Sequence, residues 1–229
     1  RAADSTVNMT TDKTGRYLLG ATNPSSEGLD RQNSRRTGII SVSAIGDRGC
    51  VQAPAELFRT PPKLHALQPD PSNRFVFGAS CDGDVMVRYA FDAVTGLLNP
   101  DPLPPVMVQR LAGPRHFKFH PNNRFMYLVN EYDGSVYTFR YDVRNGSLSE
   151  IQISSSVPPD FDTKKHARSA DLHITPDGRW LYVSVRNSLT LAAFKVDPMT
   201  GLLTPAGHFP TANEPRSFCI DPLGRYLVA

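Results

Sequence analysis

The chain has 229 residues, of which 40% are hydrophobic, and a formal net charge of +3. This composition allows one or two packed domains, and the dispersed charge lacks the basic track that nucleic-acid phosphates require. No apolar run approaches the ~20 residues of a membrane span, so neither nucleic acid nor a membrane is a predicted partner.

The cysteines are odd in number and widely spaced: Cys50, Cys81 and Cys219. They form no CxxC pair and no Cys/His cluster that could close around zinc. We therefore predict free, mostly buried thiols in a reducing compartment and no metal site. Residues 1–4 do not begin a charged-then-apolar signal segment, which makes a cytoplasmic location the prediction.

A turn followed by a strand recurs five times along the chain, and an arginine marks the same place in every copy. The turns are rich in Pro, Asp, Asn and Gly, and the aromatic and β-branched residues that follow suit a half-buried strand. Successive markers are 58, 50, 55 and 46 residues apart. The five marker arginines are Arg16, Arg74, Arg124, Arg179 and Arg225.

A second turn signature has the same period. An Asp is followed four positions later by a Gly at 92–96, 142–146 and 197–201. This pattern predicts hairpin turns in which Asp92, Asp142 and Asp197 form the turn and the Gly supplies a positive φ. Two turn signatures in phase indicate a true structural repeat.

One period holds four predicted strands, at about 115–119, 125–130, 135–141 and 148–153 in the clearest copy, and no segment of helical period. We predict an all-β fold, a β-propeller of four-stranded antiparallel blades, because sandwich strands would not recur in register. Each blade needs neighbours to cover its faces. The predicted blades of this single domain are about 5–56, 57–110, 111–160, 161–212 and a partial 213–229.

Two features depart from the regular repeat. Residues 23–37 are polar and aperiodic, and we interpret them as an inserted loop in which Arg31, Arg35 and Arg36 are solvated, with contact to an anionic ligand as the alternative. The chain does not begin with Met, and residues 226–229 resemble the middle of a strand. We therefore interpret the chain as a fragment of a closed ring.

Register identifies candidate site positions. Propellers bind small ligands at the mouth of the central channel, which the start of each innermost strand faces. A purely structural position would look alike in all copies, yet three of five here are cationic or titratable. Nine residues before the markers stand Val7, His65, Arg115, Ala170 and Arg216.

The end of the second strand shares this edge of an antiparallel blade, which predicts that Glu131 projects onto the face of Arg115 and His116. Its repeat equivalents, seven residues after the markers, are Asn23, Cys81 and Arg186. Near Ala170 lie the polar residues Arg168, Asp171 and His173.

Each candidate taken alone has a plainer structural interpretation. Together they form a cationic rim with one carboxylate, which suits an anionic substrate and one proton-transfer group. His120, His208, the marker arginines and the turn aspartates are interpreted as structural.

The segment 113–121, GPRHFKFHP, continuing to 127–131, resembles the bacterial-type 6-phosphogluconolactonase propellers. Segments 171–179, 214–218 and 64–66 are similar. The resemblance implies a seven-bladed ring, of which about four and a half blades are present, and a hydrolase of the pentose phosphate pathway without a cofactor.

A related fungal enzyme, 3-carboxy-cis,cis-muconate lactonizing enzyme, uses a His, two Arg and a Glu. Matching by motif implies catalytic roles for His65, Arg115, Glu131 and Arg168.

In the lactonase interpretation the predicted substrate-binding residues are His116, Asp171, His173 and Arg216. Arginines would hold phosphate and carboxyl-derived oxygens, Glu131 or His65 would activate water, and His116 or an arginine would stabilise the oxyanion. The muconate cyclase is the first alternative. A non-catalytic propeller scaffold is the second, and it would favour an apolar rim over a charged one.

Overall fold

The computed structural model describes residues 6–23, 37–162 and 164–229. Within those ranges the chain forms 19 β-strands and one turn of 3₁₀ helix at Asp47–Gly49. The sheets are antiparallel, and all their strands except one short edge strand follow chain order, as predicted for propeller blades. No helix in the described residues is long and apolar enough to cross a membrane.

The strands fall into two compact units, residues 1–109 and 110–229, which are described separately. In the first unit the first sheet contains β1 (Thr6–Thr11), β2 (Tyr17–Thr22), β3 (Thr37–Ala44) and β4 (Glu56–Pro62). The second sheet contains β5 (Leu64–Pro69), β6 (Phe75–Ser80), β7 (Val85–Phe91), β8 (Leu98–Pro100) and β9 (Val106–Met107), of which β9 pairs with β7.

The second unit repeats this plan. Its third sheet contains β10 (Pro114–Phe119), β11 (Phe125–Asn130), β12 (Ser135–Asp142) and β13 (Ser147–Ser155). The fourth contains β14 (Ser169–Ile174), β15 (Trp180–Val185), β16 (Thr190–Val196) and β17 (Leu203–Pro210). A two-stranded sheet of β18 (Cys219–Ile220) and β19 (Leu227–Val228) follows.

The four strands predicted for the clearest copy match β10–β13 to within two residues at each end. The first sheet continues to Pro62 rather than ending near residue 56. The reason is that the 3₁₀ turn and the extended segment after it lie between β3 and β4, so β4 begins only at Glu56. A single domain stays a prediction. Residues 24–36 of the proposed insertion, with Arg31, Arg35 and Arg36, lie outside the described residues. The flanking strands end at Thr22 and begin at Thr37.

Backbone geometry explains the residues of the repeated turns. The residue before each marker arginine is left-handed, a conformation that Gly and Asn tolerate better than other residues. These residues are Gly15, Asn73, Asn123, Gly178 and Gly224, with φ between 58° and 72°.

The second turn signature also has the predicted geometry. Its glycines have φ of 77°, 70° and 79° at Gly96, Gly146 and Gly201. The side chain of each turn aspartate accepts the backbone N–H two residues later, at 2.8 to 3.0 Å. Asp92, Asp142 and Asp197 therefore form turns, as predicted.

The cysteine prediction was partly wrong. None of the three forms a disulfide, and Cys81 is buried, but Cys50 and Cys219 are exposed. Cys50 follows the 3₁₀ turn at the surface, and Cys219 begins the small two-stranded sheet, so neither position faces a packed core. No group of His, Cys, Asp and Glu side chains in the described residues is arranged to hold a metal ion.

The cores lie where the face of one sheet covers the next. In the second unit Phe125, Tyr127 and Val129 of β11 pack with Leu181 and Val183 of β15, all fully buried. Burying one such side chain contributes about 1.5–3 kcal/mol. Adjacent sheets therefore stabilise each other, as the repeat pattern implied.

One polar contact joins the third and fourth sheets at the repeated turn. The buried His120 ring bonds the Gly178 carbonyl oxygen through Nε2 at 3.0 Å and accepts the Asn122 N–H on Nδ1 at 3.0 Å. A Cβ on Gly178 would lie 2.6 Å from the Cε1 atom of His120. His120 is structural, as predicted, and Gly178 leaves the space for it.

We expect Gly178→Ala to destabilise the protein by about 2–5 kcal/mol, from a left-handed non-glycine residue and a clash with a ring held at both nitrogens. Gly15→Ala is the matched control, because Gly15 has the same turn position and φ but no atom within 4 Å of its added Cβ. It should cost only ~1–2 kcal/mol. Urea unfolding of both variants measures the difference, and equal losses would contradict the packing explanation.

Candidate functional site

The first strand of each of the first four sheets has a β-bulge at its start. The pairing register shifts across Val7 in β1, His65 in β5 and Arg115 in β10. In β14 the shift spans Ala170 and Asp171. Bulges redirect side chains and are common beside active sites. The register-matched positions are thus the bulged ones, whereas Arg216 lies before β18 and outside a strand.

The predicted second set lies at the same edge. Asn23, Cys81, Glu131 and Arg186 each follow the last residue of the second strand in their sheet. Glu131 does reach Arg115, as antiparallel register required. In the second unit this edge joins two neighbouring sheets, because β10 and β14 contact each other.

An arginine cluster occupies this edge and consists of Arg115, Glu131 and Arg186. Arg115 Nε donates to Glu131 Oε2 at 3.1 Å, and its Nη1 donates to the Ala170 carbonyl oxygen on β14. Arg186 Nη2 donates to Glu131 Oε1 at 3.0 Å. Each carboxylate oxygen therefore has its own guanidinium partner, and the bonds of Arg186 to Glu131 and of Arg115 to Ala170 join the third sheet to the fourth.

Burial decides the energetics of this cluster. The side chains of Arg115, Arg186 and Glu131 are 2%, 5% and 13% exposed. Burial lowers the pKa of Arg115 to about 10; Glu131 opposes this shift, and the charges of Arg186 and Arg216 add to it. Arg115 stays charged at neutral pH. Removing one partner of such a buried pair typically costs ~3–5 kcal/mol, because the other charge is left uncompensated.

Arg168 joins the cluster through its backbone. Its carbonyl oxygen accepts a hydrogen bond from Arg186 Nε at 2.7 Å, and its φ of 53° is left-handed. Its guanidinium donates from Nη1 to Glu214 Oε1 at 3.0 Å, and both side chains are exposed. The Arg168 side chain thus lies at the surface of the edge.

A histidine cluster lies beside the arginine cluster and consists of His116, Asp171, His173 and Ser217. His116 Nδ1 is 2.8 Å from Asp171 Oδ1, and His173 Nε2 is 3.3 Å from Asp171 Oδ2. The Ser217 hydroxyl donates to Asp171 Oδ2 at 2.9 Å, and the Leu172 N–H donates to Oδ1 at 3.0 Å. One buried carboxylate therefore organises two histidines.

The surroundings of Asp171 and His116 determine which of the two side chains is charged. Burial raises the pKa of the Asp171 carboxyl, but hydrogen bonds from His116 and His173 outweigh it and hold that pKa well below its usual range. Burial lowers the pKa of His116 below its ordinary 6.5, and Asp171 opposes the shift. At neutral pH Asp171 is ionised and His116 is neutral, so Nδ1 donates and Nε2 carries the lone pair.

Seven of the eight predicted residues lie in the second unit. The structure joins Arg115 to Glu131, and His116 to Asp171 and His173, whereas Arg168 and Arg216 are exposed around them. Arg216 is close enough to affect the Arg115 charge. His65 is buried at the β5 bulge of the first unit, and its predicted place in the same site stays a prediction.

The sequence did not identify Arg186 and Ser217 as site residues. Arg186 carried a usable signal, since it occupies the same repeat position as Glu131 in the next sheet. Ser217 follows Arg216, but nothing in the pattern of the chain marks its hydroxyl as a partner of Asp171. That contact depends on how the segment before β18 packs.

Comparison with known proteins identifies the family. The family model described as lactonase, 7-bladed beta-propeller, matches residues 2–229. Over 225 residues the chain is 36% identical to a 6-phosphogluconolactonase of Pectobacterium carotovorum and 34% identical to one of Serratia proteamaculans. Each match covers 98% of this chain but 63% of the relative, so the chain spans less than two thirds of those proteins.

A solved structure agrees with the family match. The periplasmic gluconolactonase of Pseudomonas aeruginosa superposes with a TM-score of 0.86 at 25% identity, covering 98% of this chain and 62% of that chain. The repeated four-stranded sheets, the aligned bulges and these matches lead to one conclusion. The chain belongs to the lactonase family of seven-bladed β-propellers.

Proposed function

We propose that the protein hydrolyses a sugar lactone, with 6-phosphoglucono-δ-lactone as its substrate. The observation that carries the proposal is the arginine cluster lying beside the histidine cluster at one sheet edge. It supplies fixed positive charge together with a proton-transfer group. The names of the relatives support the same reaction, since they are called 6-phosphogluconolactonases.

The arginines suit the anionic parts of such a substrate. Arginine binds phosphate and carboxylate oxygens bidentately through its planar fork. Arg216 is exposed and can meet a phosphate, as can the Arg168 side chain, which is 40% exposed and bonds Glu214. The buried Arg115 is better suited to a developing oxyanion. A preorganised donor stabilises that charge without having to rearrange during the reaction.

Lactone hydrolysis also needs a proton acceptor for the attacking water and a donor for the departing ring oxygen. His116, Glu131 and His65 are the candidate groups. The reaction consumes only water, so the proposal includes no cofactor.

Muconate cyclisation remains the alternative function, because this chain has the His, the two Arg and the Glu that the related cyclase uses. A scaffold role is less well supported, because the described edge is charged rather than apolar. A cytoplasmic location stays a prediction, and one structural relative is described as periplasmic.

The first test measures hydrolysis of freshly prepared 6-phosphoglucono-δ-lactone by the full-length protein, corrected for spontaneous opening. Arg115→Ala and Glu131→Gln should each lower kcat/KM about 100-fold or more, because each dismantles the buried charge network. Arg179→Ala is the control, since its guanidinium is exposed on a turn, and it should match wild type.

Circular dichroism of the same variants separates lost chemistry from lost fold. A wild-type rate no higher than spontaneous opening would reject the lactonase proposal. Activity of that protein on 3-carboxy-cis,cis-muconate would then support the cyclase, and inactivity on both substrates would leave the scaffold.

A second test concerns the exposed Arg216. Arg216→Ala should raise KM for 6-phosphoglucono-δ-lactone about 10–100-fold with little change in kcat, because a charge-assisted hydrogen bond contributes roughly 1.5–3 kcal/mol of binding. KM for glucono-δ-lactone, which lacks the phosphate, should change much less. Arg225→Ala is the matched control on a neighbouring exposed turn. Equal changes in KM for both lactones would exclude phosphate binding by Arg216.

A further inference from the structure

We propose that His116, oriented by Asp171, is the general base of this reaction, and that Glu131 is a positioning residue for the two buried arginines. The inference rests on the lactone hydrolysis proposed above. It assigns the proton-transfer step, which the sequence left open between Glu131 and His65.

Glu131 is poorly arranged to accept a proton. Its Oε2 accepts from Arg115 and its Oε1 from Arg186, so a charge-assisted hydrogen bond occupies each oxygen. Such bonds favour the ionised carboxylate and reduce its affinity for a proton. Glu131 instead holds the guanidinium groups of Arg115 and Arg186 in place.

His116 is more exposed than Glu131 and bonds a carboxylate. Its side chain is 22% exposed, and Nδ1 lies 2.8 Å from Asp171 Oδ1. When Nδ1 donates to a carboxylate, the lone pair is on Nε2, and the carboxylate stabilises the imidazolium that forms when Nε2 takes a proton. His116 is therefore in the tautomer that a base requires.

Asp171 is itself held in position by several donors. The Leu172 N–H and the Ser217 hydroxyl contact its two oxygens, and Asp171 N–H donates to Ser184 Oγ at 3.0 Å. A carboxylate with this many donors stays ionised and cannot rotate freely. Its role is to orient His116 without taking up the proton.

The groups that face His116 determine its titration. On β10 these are Arg115 and Lys118, and on β14 the Asp171 carboxylate, which also bonds His173. Burial first, and then the two cations, lower the pKa of His116, while Asp171 raises it. The pKa therefore lies below 6.5, and the base is unprotonated at neutral pH.

The step balances as an addition of water. His116 Nε2 takes a proton from water while the water oxygen bonds to the lactone carbonyl carbon, and Arg115 stabilises the resulting oxyanion. The bond from that carbon to the ring oxygen then breaks, and the imidazolium returns its proton to the ring oxygen. The product is the open hydroxy acid, which loses its carboxyl proton to solvent.

The test is the pH dependence of kcat/KM for 6-phosphoglucono-δ-lactone in the full-length protein. Wild type should lose activity below pH 6.5, by tenfold per pH unit once His116 is protonated. His116→Gln should lower kcat/KM by about 10²–10⁴-fold and abolish this acid limb. Glu131→Gln should lower the rate but keep an acid limb, because the base is intact.

Two further variants separate catalysis from folding. Asp171→Asn should move the acid limb to lower pH, because it removes the charge that raises the pKa of His116. Activity of His116→Gly should be partly restored by added imidazole. His208→Gln is the matched control and should behave as wild type, because the His208 ring contacts the Ser156 carbonyl oxygen at 3.1 Å, a backbone atom that belongs to neither cluster.

The outcomes are distinct. An inactive wild-type protein rejects the proposed function and the inference with it. An active wild type whose His116→Gln variant keeps both its rate and its acid limb overturns the inference alone. Loss of the acid limb in Glu131→Gln would reassign the base to Glu131.

Discussion

The buried positive charge of Arg115 is the constraint on which the candidate site depends. A guanidinium with 2% exposure is tolerated only with counter-charge and hydrogen-bond acceptors around it. Glu131 and the Ala170 carbonyl oxygen supply these from two different sheets, and Arg186 donates to the second carboxylate oxygen. Satisfying one charge therefore fixes the first strand of one blade against that of the next.

The bulges make this arrangement possible. In a regular strand Arg115 would alternate with its neighbours across the two faces of the sheet. The bulge between Pro114 and His116 breaks that alternation, so the adjacent side chains of Arg115 and His116 belong to two different clusters. Arg115 enters the arginine cluster, while His116 bonds Asp171 beside it. A similar irregularity in β14 brings the Ala170 carbonyl and the Asp171 carboxylate to the same edge.

The two clusters divide the chemistry between them. Interlocked arginines and a carboxylate provide fixed positive charge, which suits an anion and a developing oxyanion. The histidine cluster provides a group that can take up a proton: burial keeps His116 neutral at neutral pH, and Asp171 favours the imidazolium. Separate carboxylates serve the two tasks: Glu131 bonds two guanidinium groups, and Asp171 bonds two histidines.

The repeat, the strands and the rim positions could be read from the chain, because turn residues such as Gly178 and Asp142 act locally and recur in phase. Register also brought Glu131 to Arg115, since antiparallel pairing is periodic. The sequence did not predict which side chains form hydrogen bonds between neighbouring blades. The engagement of both Glu131 oxygens, the exposure of Arg168 and the Ser217 contact depend on packing between segments more than 40 residues apart. Hydrogen-bond partners at that separation are chosen by folded geometry, which no local pattern encodes.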